Sequence, residues 1–285
     1  MRDVGLLQTE GARGVKVVLT DIDDTLTVQG KLVQEAYDAL WSLHAAGIAV
    51  VPVTGRPAGW CDAIVRQWPV DAVIGENGAF VYYERNGVLA AQFHPNALAD
   101  EKELDKTDPH ARPPSSFPSH DMIEAIRERL TPARDAVLAR FPLARVAKDQ
   151  PYRIFDLAID FREEPPDLGF EVAEEIRAEL TRHGLTAKVS SIHVNAWFGK
   201  YDKLAMSRRV VRDLFKVTSP EQVVFVGDSP NDAPMFGGFP LSVGVANVRR
   251  FGNRMECFPQ YVTHAEGGAG FAEVVRVLLD AKPAC

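Results

Sequence analysis

The sequence predicts an α/β fold: a Rossmann-like sheet of parallel strands, split around an inserted α+β unit. Three observations carry this expectation. Short apolar runs alternate with amphipathic helical stretches near both ends of the chain, the rhythm of strand–helix crossovers. Polar groups gather where those runs stop, at Asp21-Ile22-Asp23-Asp24-Thr25, Thr54-Gly55-Arg56 and Gly227-Asp228-Ser229-Pro230-Asn231-Asp232. Between them, strands alternate apolar and polar residues instead, as in an antiparallel sheet with one covered face.

In chain order, Val15–Ile22 reads as a central strand with both faces covered, because its apolar run is nearly continuous. Residues 31–46 read as a helix with Leu32, Val33, Ala36, Tyr37, Leu40 and Leu43 on one face, closed by Gly47. Ile48–Val53 is a second buried strand, and Pro57 suits the first turn of a helix over 57–67. Asp71–Ile74 is a third strand of the sheet, ending at Gly75-Glu76-Asn77-Gly78. Strand and helix in turn predict right-handed crossovers. Trp41 and Trp68 read as core.

The pattern then changes. Ala79–Tyr83 leads into a hairpin at Asn86-Gly87, a strong turn signal. Residues 94–120 hold five prolines and predict an irregular segment. A helical pattern follows through Met122, Ile123, Ile126 and Leu130, and runs past Pro132 toward Phe141. Tyr152–Phe161 and Ala187–Phe198 alternate as one-sided strands, around a helix over 168–183 closed by Gly184. The βα rhythm resumes with a helix from 202, a strand at Gln222–Val226, short strands at Leu241–Val245 and Tyr261–Thr263, and a last helix over 268–281. The expected organisation is a core of 1–83 and 199–285 with a cap domain of 84–198.

The 285 residues are 46% hydrophobic and 25% charged, with a net charge of −7. Neither the sign of that charge nor any Lys/Arg run suits a nucleic-acid partner. The cysteines, Cys61, Cys257 and Cys285, are odd in number and far apart, which argues against a disulfide framework or a zinc site. Met1–Gly14 has no apolar stretch of a signal peptide, and no run approaches the roughly 18 residues of a membrane span. A cytoplasmic protein without a membrane partner is the expectation.

The chemistry concentrates at strand ends, where open α/β sheets bind ligands. Asp21, Asp23 and Asp24 side by side are costly unless a cation sits among them; a solvated turn is the plainer reading of that stretch alone. Carboxylates converging from two strand ends make a hard-oxygen site suited to Mg²⁺, and Thr54 and nearby backbone N–H groups suit a phosphate.

DIDDT, VTGR and GDSPND, in that order and on strand ends, resemble motifs I, II and IV of the haloacid-dehalogenase-like (HAD) hydrolases. The resemblance covers about 15–80 and 200–281. With Gly75-Glu76-Asn77-Gly78 and the insert after motif II, it points to subclass IIB, whose α/β cap is of the C2 type and whose members include Cof-type phosphatases, sucrose-phosphate phosphatase and mannosyl-3-phosphoglycerate phosphatase. It implies a Mg²⁺-dependent phosphatase acting on a small phosphorylated metabolite, most simply a sugar phosphate, through an aspartyl-phosphate. Asp21 would be the nucleophile and Asp23 the general acid and then base. Mg²⁺ would be held by Asp21, the backbone carbonyl of Asp23, and Asp228, with Asp232 and Asn231 beside it. Thr54, with Gly55, Arg56 and Asn77, would hold phosphate or substrate. Lys203 is the motif III lysine by this resemblance, with Lys200 as its rival. Asp24 stands where Gly is commoner.

In the cap, Ser191, His193 and Asn195 share one strand face and are candidates for substrate contact, with a solvated sheet face as the alternative. Arg153 is a weaker candidate of the same kind. For Arg56 a structural salt bridge is equally open, and Trp197 either lines the cleft or packs the hinge. His44 and His183 read as surface residues. A phosphosugar mutase of similar architecture is the nearest rival, although Thr54-Gly55-Arg56 favours hydrolysis. A receiver-like signalling domain shares the acidic cluster, Thr and Lys, but lacks the second Asp of motif I and the insert.

Overall fold

The computed structural model describes residues 1–98 and 117–282; most of the proline-rich 94–120 segment, and Cys285, lie outside the described residues. In chain order the elements are β1 Arg2–Asp3, α1 Leu7–Glu10, β2 Val17–Thr20, β3 Thr27–Val28, β4 Lys31–Leu32, α2 Gln34–Ala45, β5 Ala49–Pro52, α3 Ala58–Gln67, β6 Val73–Gly75, β7 Phe80–Arg85, β8 Val88–Phe93 and α4 Pro95–Leu98. There follow α5 His120–Arg140, β9 Arg145–Val146, β10 Asp156–Asp160, α6 Gly169–Arg182, β11 Thr186–Val189 and β12 His193–Trp197. The chain ends with α7 Lys203–Asp213, β13 Val223–Gly227, α8 Ala233–Gly238, β14 Leu241–Gly244, β15 Tyr261–Val262 and α9 Gly267–Asp280.

The main sheet has the order β1-β15-β14-β13-β2-β5, and every pair in it is parallel. The α/β expectation holds. β2 lies between β13 and β5 in register, with Val17 opposite Val223 and Ala49. Alternation along the strands sorts side chains to two covered faces. Val18, Val50 and Val224 join Leu40 and Leu43 of α2 and Phe271 and Leu278 of α9 in one cluster. Val17, Leu19 and Phe225 join Met206 and Val210 of α7 and Met235 and Phe236 of α8 in the other.

Several local expectations change. Lys31–Leu32 is a strand paired with β3 rather than the start of α2. β6 is not a full member of the parallel sheet. It touches it through one parallel bridge, Val53 to Ile74, and pairs antiparallel with β7. β7 and β8 form the expected hairpin, with Asn86 and Gly87 both at positive φ, as a tight turn of matching twist requires. Trp41 is 49% exposed: its position on α2 points away from the sheet, beside Tyr37 and His44. Trp68 packs partly buried on the first cluster.

The stretch from α5 to β12 builds its own sheet, β11-β12-β10-β9, antiparallel throughout. Ile159, Phe161, Val194 and Ala196 pack with Leu130 and Val137 of α5 and Ile176 and Leu180 of α6. Of the two readings of the opposite face, solvated or turned toward a substrate, the solvated one does not hold. Asp156, Asp160, His193 and Asn195 are buried too, because that polar face is laid against the strand ends of the main sheet.

Candidate active site

Asp21 follows β2 directly, and its N–H continues the ladder by donating to Val226 O at 2.9 Å. The carboxylate is thereby fixed at the strand's end. Lys203, at the start of α7, extends its buried stem to it: Nζ donates to Asp21 Oδ1 at 2.8 Å and to Asp232 Oδ1 at 2.9 Å. Asp202 caps α7 by accepting from Ala205 N at 2.7 Å, which sets the helix start where Lys203 can reach inward. Gly78, at φ 104°, lies against this cap, where a Cβ would stand 2.2 Å from Asp202 O. Only glycine allows that approach. Lys200 is exposed, so Lys203 is the lysine the structure brings to Asp21.

Asp228 closes β13, and its carboxylate accepts from Thr25 Oγ1 at 3.2 Å and Asn247 Nδ2 at 3.2 Å. Asp232 Oδ2 accepts from Asp228 N at 3.1 Å, which folds the loop back on itself. Asn231 Oδ1 accepts from Ser229 Oγ at 2.7 Å. Asp21, Asp228 and Asp232 can each place a carboxylate oxygen within 4.8 Å of the others, and all three are buried. Burial, with Asp232 and Asp23 adding to it against the pull of Lys203, pushes Asp21 up to about 7. Burial and then Asp232 push Asp228 well upward. Three buried acids facing one lysine are short of positive charge, and hard oxygen donors so arranged fit a divalent cation such as Mg²⁺.

Thr54 is buried and accepts from Arg56 N at 3.0 Å. Arg56 does not stand free at the mouth. Its Nε and Nη2 hold Asp23 at 2.9 and 2.8 Å, its Nη1 reaches Glu163 of the inserted unit at 2.9 Å, and its guanidinium lies over Trp60. Glu163 Oε2 in turn meets His193 Nε2 at 2.8 Å. Asp160 presents Glu163: its Oδ1 accepts from the N–H groups of Arg162 and Glu163 at 2.9 and 2.7 Å. The His193 hydrogen bond, with Arg56 adding to it against burial, pulls Glu163 down to about 2.

Asn77 and Asn195 both donate to Asp156 Oδ2, at 3.4 and 2.9 Å. Arg153, whose side chain is 0% exposed, bridges Asp149 and Asp156 and donates to Gly55 O at 2.8 Å. It is an internal tie between the two units rather than an open substrate contact. Glu76 completes the tie, accepting from the N–H groups of Ala58, Ile154, Phe155 and Asp156. Burial, then Asp156, push it up to about 8 against Arg153. Trp197 is fully buried and stacks on Tyr201, so it packs the junction. His44 and His183 are exposed.

Asp24 has φ 57°, a left-handed conformation that glycine adopts freely and Asp tolerates. That is why glycine suits this position. Its carbonyl accepts from Asn247 Nδ2 at 2.9 Å. Sequence reasoning missed Asn247, Glu163, Asp149 and Trp60. Asn247 lies just past β14, so the strand-end rule that singled out Asp228 also applies to it; the others carry no local signal.

A cavity of about 10 Å³ touches Asp21, Asp23, Arg56, His193, Asn195 and Asn231. A wider cleft of about 890 Å³ continues outward from Asp23, Arg56 and Asp228.

Residues 18–107 match the family described as haloacid dehalogenase-like hydrolase. Over that stretch, about a third of the chain, the sequence is similar to the haloacid dehalogenase-like hydrolases. Solved structures resemble the chain along almost its whole length. A Thermoplasma acidophilum protein, 0175, is 16% identical, with TM-score 0.64 over 93% of this chain and 98% of that one. A HAD-superfamily phosphatase from Bacteroides thetaiotaomicron is 19% identical, with TM-score 0.57 over 94% and 96%. The sucrose-phosphatase of Synechocystis, solved with sucrose and phosphate, is 14% identical, with TM-score 0.55 over 93% and 98%. At these identities the likeness is one of fold. No curated protein matches the chain.

Proposed function

We propose that this chain is a Mg²⁺-dependent phosphatase that cleaves a small phosphorylated metabolite, most simply a sugar phosphate. One observation carries the reading: Asp21, held by Lys203 beside Asp228 and Asp232, and Asp23, held by Arg56, line one inner cavity.

In this reading Asp21 attacks phosphorus, the bond from phosphorus to the ester oxygen breaks, and protonated Asp23 gives its proton to the leaving alkoxide. Asp23 then takes a proton from water as that water attacks the aspartyl-phosphate. Phosphate leaves, and the Asp21 carboxylate is restored. General acid–base help of this kind is worth about 10²–10⁴-fold in rate. Mg²⁺ held by Asp21 and Asp228, with the Asp23 backbone carbonyl and Asp232 beside it, supplies positive charge that lets an anionic carboxylate approach an anionic ester. Thr54, Gly55 and Lys203 would hold the phosphate oxygens.

The stretch 84–198 is read as the cap. The inner cavity is near the size of one water, which needs about 10–15 Å³. A phosphate ester therefore requires the cap to swing away and close again. Arg56 to Glu163 is the ion pair that this motion breaks and remakes, and His193 and Asn195 would meet the substrate on closure. A closing cap favours small substrates. The mutase alternative has no observation in its favour.

A phosphate-release screen across phosphosugars, phosphoglycerate esters and nucleotides, with Mg²⁺ and again after chelation, tests the reading. Release with Mg²⁺ that chelation silences supports it; no release from any ester, or full activity without divalent metal, contradicts it.

A further inference from the structure

The cleft changes character along its length. Its inner end is acidic: Asp23 and Glu163 share Arg56, and Asp24 and Asp228 line it too. Its outer wall carries four cations: Lys31 of β4, Arg162 after β10, and Arg250 and Arg254 after β14. The chain as a whole has a net charge of −7, so this wall runs against the composition.

Two cations of the wall pair with carboxylates only at exposed contacts, and stacking holds two of the arginines in place. The guanidiniums of Arg162 and Arg254 lie 5.1 and 4.9 Å from the Phe170 ring centroid, and Phe251 packs edge-on to that ring at 5.7 Å. Stacking orients a guanidinium while leaving its N–H edge free for an anion. Arg162 pairs with Asp167, and Arg250 with Glu266, but these side chains are a third or more exposed. Exposed pairs contribute about 0–1 kcal/mol and yield readily to a ligand. Among the described residues no carboxylate pairs with Lys31 or Arg254. Gathering four cations with so little return costs repulsion unless an anion joins them.

The placement also has a direction. Arg162 belongs to the inserted unit and Arg254 to the main one, and Phe170 joins them. Arg162 and Arg250 line the same cleft as Asp23 and Asp24, so their charge faces the chemistry.

We propose that this cationic wall is a specificity site for a second anionic group on the substrate, a carboxylate or second phosphate carried a few carbons from the scissile phosphate. This deepens the phosphatase reading and rests on it. The cleft also offers Gln29, Ser191 and Asn247, which suit hydroxyls, but Lys31, Arg162, Arg250 and Arg254 add a cluster of cations that a neutral sugar end would not use.

Calorimetry on the full-length Asp21→Asn variant with Mg²⁺ tests the site apart from turnover. Two probe pairs differ chiefly in the second anion: 6-phosphogluconate against glucose 6-phosphate, and fructose 1,6-bisphosphate against fructose 6-phosphate. The site predicts that at least one doubly anionic probe binds about tenfold tighter than its partner, roughly 1.4 kcal/mol. Adding Arg254→Gln, or separately Arg162→Gln, brings that preference below about threefold. Preference for a carboxylate alone or for a phosphate alone identifies which anion the wall takes. Less than twofold preference in both pairs, or a preference unchanged in both arginine variants, overturns the proposal. Absence of hydrolysis by the native enzyme would instead refute the phosphatase reading, with the binding preference still deciding the site.

Discussion

Arg56 grips both oxygens of Asp23, with Nε 2.9 Å from one and Nη2 2.8 Å from the other. The same guanidinium reaches Glu163 across the cleft. In the proposed reading the proton-transfer residue is aimed by an arginine that also pairs with the inserted unit. Arg56→Ala frees Asp23 to turn and leaves it facing Glu163 without a cation. The expected result is a fall in kcat on p-nitrophenyl phosphate of about 10–10²-fold, less than the full 10²–10⁴-fold of general acid–base help because Asp23 itself remains. Steady-state kinetics check it, and an unchanged kcat would refute the aiming role.

Glu163→Gln keeps the shape but removes the charge that Arg56 and His193 hold. Closure weakens, so KM for a phosphosugar substrate should rise several-fold while kcat for p-nitrophenyl phosphate changes little. A KM equal to that of the native chain would mean that the contact does not report on closure.

Lys203 pairs with Asp21 and Asp232 at once. Breaking a buried pair by removing one partner costs about 3–5 kcal/mol. Lys203→Met should lower the melting temperature sharply in chelator, and added Mg²⁺ should recover part of the loss. Metal binding alone is worth about 2.7 kcal/mol at a hundredfold excess over Kd. Differential scanning calorimetry with and without Mg²⁺ measures both. In Asp228→Asn the Mg²⁺-dependent rise should disappear.

His94 gives a pH signature away from the chemistry. It is buried beside Tyr201, and burial, helped by Arg209, lowers it to about 4 from an ordinary 6.5. Its folded value lies below its unfolded value. Its contribution to stability is therefore complete above pH 6.5 and is lost as pH falls from 6.5 through 4. At pH 5 that loss is roughly 1–2 kcal/mol. Urea unfolding at pH 7.5 and 5 should show a larger drop for the native chain than for His94→Gln.

What the sequence made legible follows from where information is local. β2, β5 and β13 are short apolar runs, and the residues just past them, Asp21, Thr54 and Asp228, inherit their position from the strands. Lys203 was readable because Asp202 caps the helix it opens. The polar face of the inserted sheet stays undecided in the sequence, because period-2 alternation reports that one face is polar, not what covers it. Glu163 lies in an irregular turn set by Asp160, and Arg153 pairs with Asp149 and Asp156 through tertiary contact. No periodicity announces such partners. Glu76 stood in view as an acid straight after a strand, but its four N–H partners come largely from residues 154–156.

The central claim is that Asp21 carries the phosphoryl group. Asp23→Asn should form that adduct and discharge it slowly, since both proton steps lose their carrier. Mass spectrometry of peptides from Asp23→Asn, acid-quenched during exposure to p-nitrophenyl phosphate and Mg²⁺, tests this directly. The account predicts a phosphoryl-sized mass increase on Asp21 that is absent in the Asp21→Asn/Asp23→Asn double variant. A label on another residue, or turnover by Asp21→Asn at a rate near that of the native enzyme, would contradict it.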